Sequence, residues 1–469
     1  MSTKSKKRKK KLKSISKNVP KEKKESNGSS PNSESGDNPL GKSAITVSGG
    51  FISSTLYLKD ILEYTPKIFQ WIKKHWIISI TIVCLLTSIV LWNQFQDHQE
   101  IDIQIAFQYL WAGYPELAEN KFKGIKFNSD IVSSGLAKSC FYQNASDNCF
   151  QQVKAIGTIW QDLMVANQHF LAGNFDSAKI KYKEIQNKDI QDEIALYECH
   201  LGQQQCSFWQ ATSNFELDKV QSKLQELLDW EPDCVIAHML IGRIYAENLM
   251  LTKAKNQFLI ANHYIENKSS SISMNRLYQI NTCFIQYIKE VERCMMSSKC
   301  TIDNEKKVQL LYEQSNHNKS QKASYPNKFL LITLRQDGKI LPWVNIDYYI
   351  SRMLEKRLDS MDNIQAVDPL LVHEYYRRKN SSSRFFIDSK LIKMAEILDV
   401  SYLLTGTIKR VNDDLNQSLL KITIIIHPIK QGDKDKIHVT LPIRSPIEQI
   451  VDKCGMAIKE KILPLSQNL

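Results

Sequence analysis

The chain has 469 residues, enough for two or three domains beyond a tail. Its net charge of +12 is local: residues 1–75 hold 17 Lys and Arg against 6 Asp and Glu, and the remainder 45 against 44. A body so close to neutral excludes a global affinity for nucleic acid, and no HExxH, GxSxG or kinase-like motif set points to an enzyme.

Residues 1–50 read as a disordered, basic cytoplasmic tail. KSKKRKKKLKSISK gives way to ESNGSSPNSESGDNP, with few large apolar groups to offset the entropy of ordering. Solvated lysines, or lysines against anionic lipid head groups, are the readings for the cluster. No aromatic residue interleaves it, so no nucleic acid is expected. Gly36 to Ser43, GDNPLGKS, matches the P-loop pattern, but no strand precedes it and two glycines interrupt the stretch where its helix would run. Residues 51–74 form a juxtamembrane amphipathic segment broken at Pro66.

Residues 75–96 carry no charge, and WIISITIVCLLTSIVLW lies between Trp76 and Trp92. At about 1.5 Å per residue this run predicts a helix of roughly 25 Å, a single transmembrane signal anchor with a tryptophan at each interface. The basic side then lies in the cytoplasm and residues 97–469 outside it. Nine of the ten cysteines lie beyond this stretch. In an oxidising compartment Cys140 with Cys149, Cys199 with Cys206, Cys294 with Cys300, and Cys234 with Cys283 are candidate disulfides. No set of residues has metal-ligand spacing, and no cofactor is expected.

Residues 97–316 read as helical, with apolar residues at three- and four-residue spacing. Three stretches pair small and aromatic residues as helical hairpins do. The first holds Ala106, Gly113, Ala118 and Phe122; the second Ala166, Gly173, Ala178 and Tyr182; the third Gly242, Tyr245, Ala254 and Phe258. These stretches resemble tetratricopeptide repeats, which implies an all-α, TPR-like solenoid presenting a binding surface. The spacing is irregular: Ala118 to Ala178 is 60 residues and Ala178 to Ala254 is 76, against about 34 for a regular array. Further degenerate hairpins belong between them, near 130–160 and 189–230.

Residues 317–327 are a polar linker, and 328–465 read as a small α/β domain with a mixed sheet. KFLLITL, NIQAVDP, DVSYLLTGTIKRV, LLKITIIIHPI and KIHVTLPI predict strands, and helices are predicted over 343–361, 370–378, 389–398 and 445–463. AEILDVSYLLTGTIKRVNDD, with LLKITIIIHPIKQGDK after it, resembles the core motif of the TolB-like amino-terminal domain found in CadC-like periplasmic regions. The resemblance implies a bacterial inner-membrane protein, single-pass, with a periplasmic body and no catalytic residues. Two features depart from it: the repeats precede the domain, and no cytoplasmic effector is present. The expected fold class is therefore multi-domain, with one transmembrane helix, a repeat solenoid and a mixed-sheet domain. The expected function is a membrane-anchored scaffold or adaptor binding protein partners in the bacterial envelope. The alternative is an envelope sensor signalling to a cytoplasmic partner.

Overall fold

The computed structural model describes residues 76–466, except 126–129, 145–147, 152–158, 189–191, 270–274, 297–326, 340, 368–370, 373–374, 377–387, 414–417 and 430–432. The basic tail, the P-loop match, the juxtamembrane segment, nearly all of the linker and Cys300 lie outside the described residues, as does the side chain of Cys294. The chain divides into two units, Met1–Val83 and Cys84–Leu469. The folded body from Cys84 onward is mostly helical, with a mixed-sheet domain at its C-terminal end.

The first helix corrects the expected membrane span. Among the described residues no helix is long and apolar enough to cross a membrane. Helix α1, Trp76–Trp111, does not stop at Trp92 but runs on through Asp97, Glu100 and Asp102. It ends by burying Ala106, Phe107, Leu110 and Trp111 in the repeat core. Within its apolar stretch the described side chains run from Ile80 to Leu91, all exposed. The lack of a helix able to cross a membrane among the described residues overturns the expected transmembrane signal anchor and the single-pass inner-membrane localisation with a periplasmic body. The side chains of Trp76 and Trp92, expected at the interfaces, lie outside the described residues.

Among the described residues ten further helices are arranged in hairpins: α2 Pro115–Gly124, α3 Asp130–Asn144, α4 Asn148–Gln151, α5 Ile159–Leu171, α6 Phe175–Gln186, α7 Glu193–Gln210, α8 Asn214–Trp230, α9 Val235–Glu247, α10 Leu251–Lys268 and α11 Arg276–Met296. The turns of the three sequence-marked hairpins share one backbone solution. Gly113 N–H bonds Leu110 O, and Tyr114 N–H bonds Tyr109 O. The same pair of bonds recurs at Gly173 and Asn174, and again at Leu249 and Met250. This is the helix-ending motif with a left-handed residue after the last turn. Gly113 and Gly173 adopt φ of 78° and 79°; in the third hairpin a leucine, Leu249, is held at 60°.

The signature residues Ala106, Ala118, Phe122, Ala166, Ala178, Tyr182, Gly242, Ala254 and Phe258 are buried core, and Tyr245 is half-buried. Two aromatic rings have glycine partners in the next helix. A Cβ on Gly135 would meet the Phe122 ring at 2.2 Å, and one on Gly202 the Tyr182 ring at 2.3 Å. Helices α2 and α3, and likewise α6 and α7, approach so closely because these positions carry no side chain.

The array also departs from an open solenoid, in which each repeat touches only its neighbours. The first hairpin meets the last helices. Tyr114 Oη donates to Ile265 O at 3.2 Å, and Asn275 Nδ2 donates to Ala112 O at 2.9 Å. Lys268 joins Gln108 (2.7 Å) to Asp233 (2.9 Å), and Gln108 donates to Glu231 at 3.0 Å. Burial and the neighbouring Asp233 push the Glu231 carboxyl up to about 7.

Cys140 and Cys149 form a disulfide with Cα atoms 5.7 Å apart, tying α3 to α4. Cys199, Cys206, Cys234 and Cys283 are free and buried, which corrects two of the expected pairs. Cys199 and Cys206 share the single helix α7. Seven residues along a helix separate them by about 10 Å, beyond disulfide reach.

The C-terminal domain comprises β1 Lys328–Leu331, β2 Arg335–Gln336, α12 Ile346–Asp359, β3 Gln365–Ala366, α13 Asp388–Ile397, β4 Tyr402–Asn412, β5 Ser418–Pro428, β6 Asp435–Pro442 and α14 Ile447–Ser466. The sheet order is β3-β1-β4-β5-β6, with β2 also paired to β4. Strands β1, β2 and β3 pair in parallel and β4, β5 and β6 antiparallel, so the sheet is mixed. Alternation sorts the faces. Leu404, Ile408, Leu420, Ile422, Ile424, Ile426, Ile437 and Leu441 point to one core with residues of α12 and α14. On the other face, α13 covers Leu330, Ile332 and Leu403.

Gly202→Ala should destabilise the fold by about 1–3 kcal/mol through overpacking against Tyr182. Gly124, where an added Cβ meets nothing within 4 Å, should tolerate alanine without loss. Chemical denaturation of both variants checks this.

Candidate functional site

The seam between repeats and sheet domain is built on one buried cation. Helix α9, VIAHMLIGRIYAE, is apolar on nearly every side, and Arg243 lies in the middle of it. Its side chain is 9 % exposed. Arg243 Nε donates to Glu247 Oε1 at 2.8 Å, one helical turn on, and Nη2 lies 3.6 Å from Asp347 Oδ2 in α12. Burial opposes the charge, but Asp347 and Glu247 outweigh it and hold the Arg243 pKa above the ordinary arginine value. A buried arginine with two carboxylates persists only where all three are held together.

Aromatic rings complete the cage. Phe284 of α11 stacks on Tyr348 of α12 with centroids 3.8 Å apart and planes 14° apart. The Arg243 guanidinium lies 5.7 Å and 5.2 Å from those two ring centroids. Arg352 lies 4.6 Å from the Tyr287 ring and 5.2 Å from Tyr348. Asn345, held at φ 63° at the start of α12, donates from Nδ2 to Met239 O at 3.2 Å. Asp347 and Tyr348 are thereby placed against α9 and α11.

Other contacts extend the seam across the array. Arg276 stacks 4.0 Å from the Trp343 ring and donates to Ser445 O at 3.3 Å. Arg410 of β4 lies 4.9 Å from the Phe141 ring, beside the disulfide. The Gly173 turn approaches Gly338 so closely that an added Cβ would meet Gly338 O at 2.4 Å. One continuous core cluster runs from Val235 and Phe284 into the sheet and α14.

Beside Arg243 the seam opens as a cleft of about 200 Å³, walled by Phe208, Trp209, Ile332, Arg335 and Gln336. A second, smaller cavity of about 40 Å³ lies within the repeats. It contains the buried pair Lys138–Glu198, and Glu198 Oε1 also accepts from Trp111 Nε1 at 2.7 Å. Burial pushes the Lys138 ammonium down to about 7. Tyr182 Oη donates to Asn167 Oδ1 at 2.6 Å on the same side. Burial also pushes the Cys199, Cys206 and Cys234 thiols up to about 12, which makes them inert at neutral pH.

No protein-family model, curated protein or solved structure matches the chain.

The sequence-marked residues thus build the hairpins, and none of them forms the cage. Arg243, Glu247, Asp347, Asn345 and Tyr348 carry no motif of their own. A signal is present at Arg243, an arginine directly after the signature Gly242 within an apolar run. Asp347 has no such mark in NIDYYISRMLEKRLDSM, an ordinary amphipathic pattern.

Arg243→Met should cost about 3–5 kcal/mol, because Glu247 and Asp347 remain buried without their cation. Adding Asp347→Asn and Glu247→Gln should recover a large part of that loss. Denaturant midpoints of the single and triple variants measure both effects.

Proposed function

We propose that this chain is a scaffold or adaptor that binds protein partners on its helical repeats while the sheet domain braces the array. The observation that carries this reading is where the large exposed apolar side chains fall. On the repeats they recur on the second helices of hairpins: Ile180 on α6, Phe215 and Trp230 on α8, Leu259 and Ile260 on α10. Ile180 is 59 % and Phe215 66 % exposed. Apolar anchors spaced over consecutive hairpins suit a partner laid along the array, and the seam fixes their spacing. The resemblance of residues 395–414 to TolB-like domains adds to this reading, since such domains occur beside tetratricopeptide repeats.

The seam also narrows where a partner sits. Turns and helices of several hairpins already face the chain's own sheet domain, so the free surface is that of the second helices. A photo-reactive phenylalanine placed at 180 or 259 should capture the same discrete protein partner, and one at Glu460, exposed on α14 of the sheet domain, should not. Ile180→Asp and Leu259→Asp should remove the adduct while stability changes by no more than about 0.5 kcal/mol. No adduct at either position, or the same adduct at 460, would overturn the reading.

A further inference from the structure

The sheet domain carries a second surface, which meets the seam cleft at Arg335 and whose chemistry selects its occupant. The register aligns nine side chains on the face opposite the apolar core. They are Thr405, Thr407 and Lys409 of β4, Ile425, Thr423 and Lys421 of β5, and Lys436, His438 and Thr440 of β6. Arg335 of β2, paired with Thr407, extends the row. These positions hold three lysines and a histidine and no carboxylate; Asp337, two residues beyond Arg335, is exposed at the rim. None of Lys409, Lys421 and Lys436 has an ion-pair partner among the described residues.

Lys409 and Lys421 are direct cross-strand partners. Like charges placed directly opposite destabilise a sheet, so the fold bears a cost that an anionic occupant would relieve. After desolvation, Lys421, Lys436 and Lys409 hold the His438 imidazole below its ordinary pKa. The face therefore acts as one positive field.

Strand β6 ends the sheet order, so one side of it is a free edge among the described residues. Ile443 N–H bonds Ser418 O. Antiparallel alternation then turns the main chain of Leu441, Val439 and Ile437 toward β5 and that of Thr440 and His438 outward. The edge is guarded in a particular way. Pro442 lacks a donor and Lys436 carries a charge, and both discourage a second copy of β6 from pairing. An acidic strand is not repelled. No Phe, Tyr or Trp lies among the nine positions, so a stacking platform for successive bases is missing.

We propose that this basic face and the free edge of β6 bind an acidic protein segment in extended conformation, added beside β6 as a further strand. Main-chain groups of His438 and Thr440 supply the pairing. Alternate acidic side chains reach Lys421, Lys436 and Lys409, and the intervening residues turn away from them. Occupancy here does not depend on a partner bound to the repeats.

The test is fluorescence anisotropy of the full-length chain with a labelled ten-residue peptide of alternating Glu and Val. A Lys–Val peptide and a twelve-base-pair DNA duplex serve as comparison ligands. The Glu–Val peptide should bind saturably and lose affinity in 0.5 M salt, and the Lys–Val peptide should not bind. Lys421→Gln combined with Lys436→Gln should weaken binding ~10-fold, as loss of two exposed charge pairs implies. Thr440→Pro removes an outward N–H and leaves the β5 ladder intact, so it should weaken peptide binding by a similar factor without lowering the melting temperature. His438→Pro removes the other outward N–H and serves if Thr440→Pro perturbs the fold. No saturable Glu–Val binding, full affinity in the proline variants, or tighter binding of the DNA would each overturn the proposal.

Discussion

Burial of Arg243 between Glu247 and Asp347 is the constraint on which the rest of the structure depends. The cation belongs to the repeats and one of its carboxylates to the sheet domain. Separating the two regions would break this ion group and expose the ring stack and shared apolar core around it to water. The stack of Phe284 on Tyr348 lies directly under the guanidinium and adds apolar contact to the ion group. Charge, ring stacking and the left-handed Asn345 all act on the first turn of α12, so its place against α9 and α11 is over-determined.

From that point the hairpins inherit their geometry. Shared backbone turns at Gly113, Gly173 and Leu249 reverse the chain, and aromatic rings on Gly135 and Gly202 set the depth to which helices sink together. Contacts of Tyr114 with Ile265 and of Asn275 with Ala112 then bring the ends of the array together. The result is a braced, closed set of helices that offers its second helices outward. Such a body can hold several surface anchors in fixed register at little further entropic cost on binding.

Local patterning reveals much of this. Strand alternation in SLLKITIIIHP sorts directly into the two faces of β5, and the small and aromatic signature residues are the repeat core. The long-range features are hidden. Closure of the array depends on pairs more than 150 residues apart, such as Tyr114 and Ile265, which no periodicity encodes. The Arg243 cage joins residues of ordinary appearance from distant helices. Cysteine spacing misleads at Cys199 and Cys206, because closeness along a helix is not closeness in space. The uncharged run after Trp76 misleads as well: among the described residues no helix is long and apolar enough to cross a membrane, and this one continues into the repeat core.

These parts combine in a single account: repeats and sheet domain share a core and unfold as one unit, and partner surfaces are arranged on that rigid body. Native-state hydrogen exchange addresses it most directly. Amides of α11 from Ile280 to Val291 and of β5 from Leu420 to Ile426 should exchange with the same opening free energy and the same denaturant dependence. Exchange of the α11 amides at clearly lower free energy, with β5 still protected, would contradict the shared core.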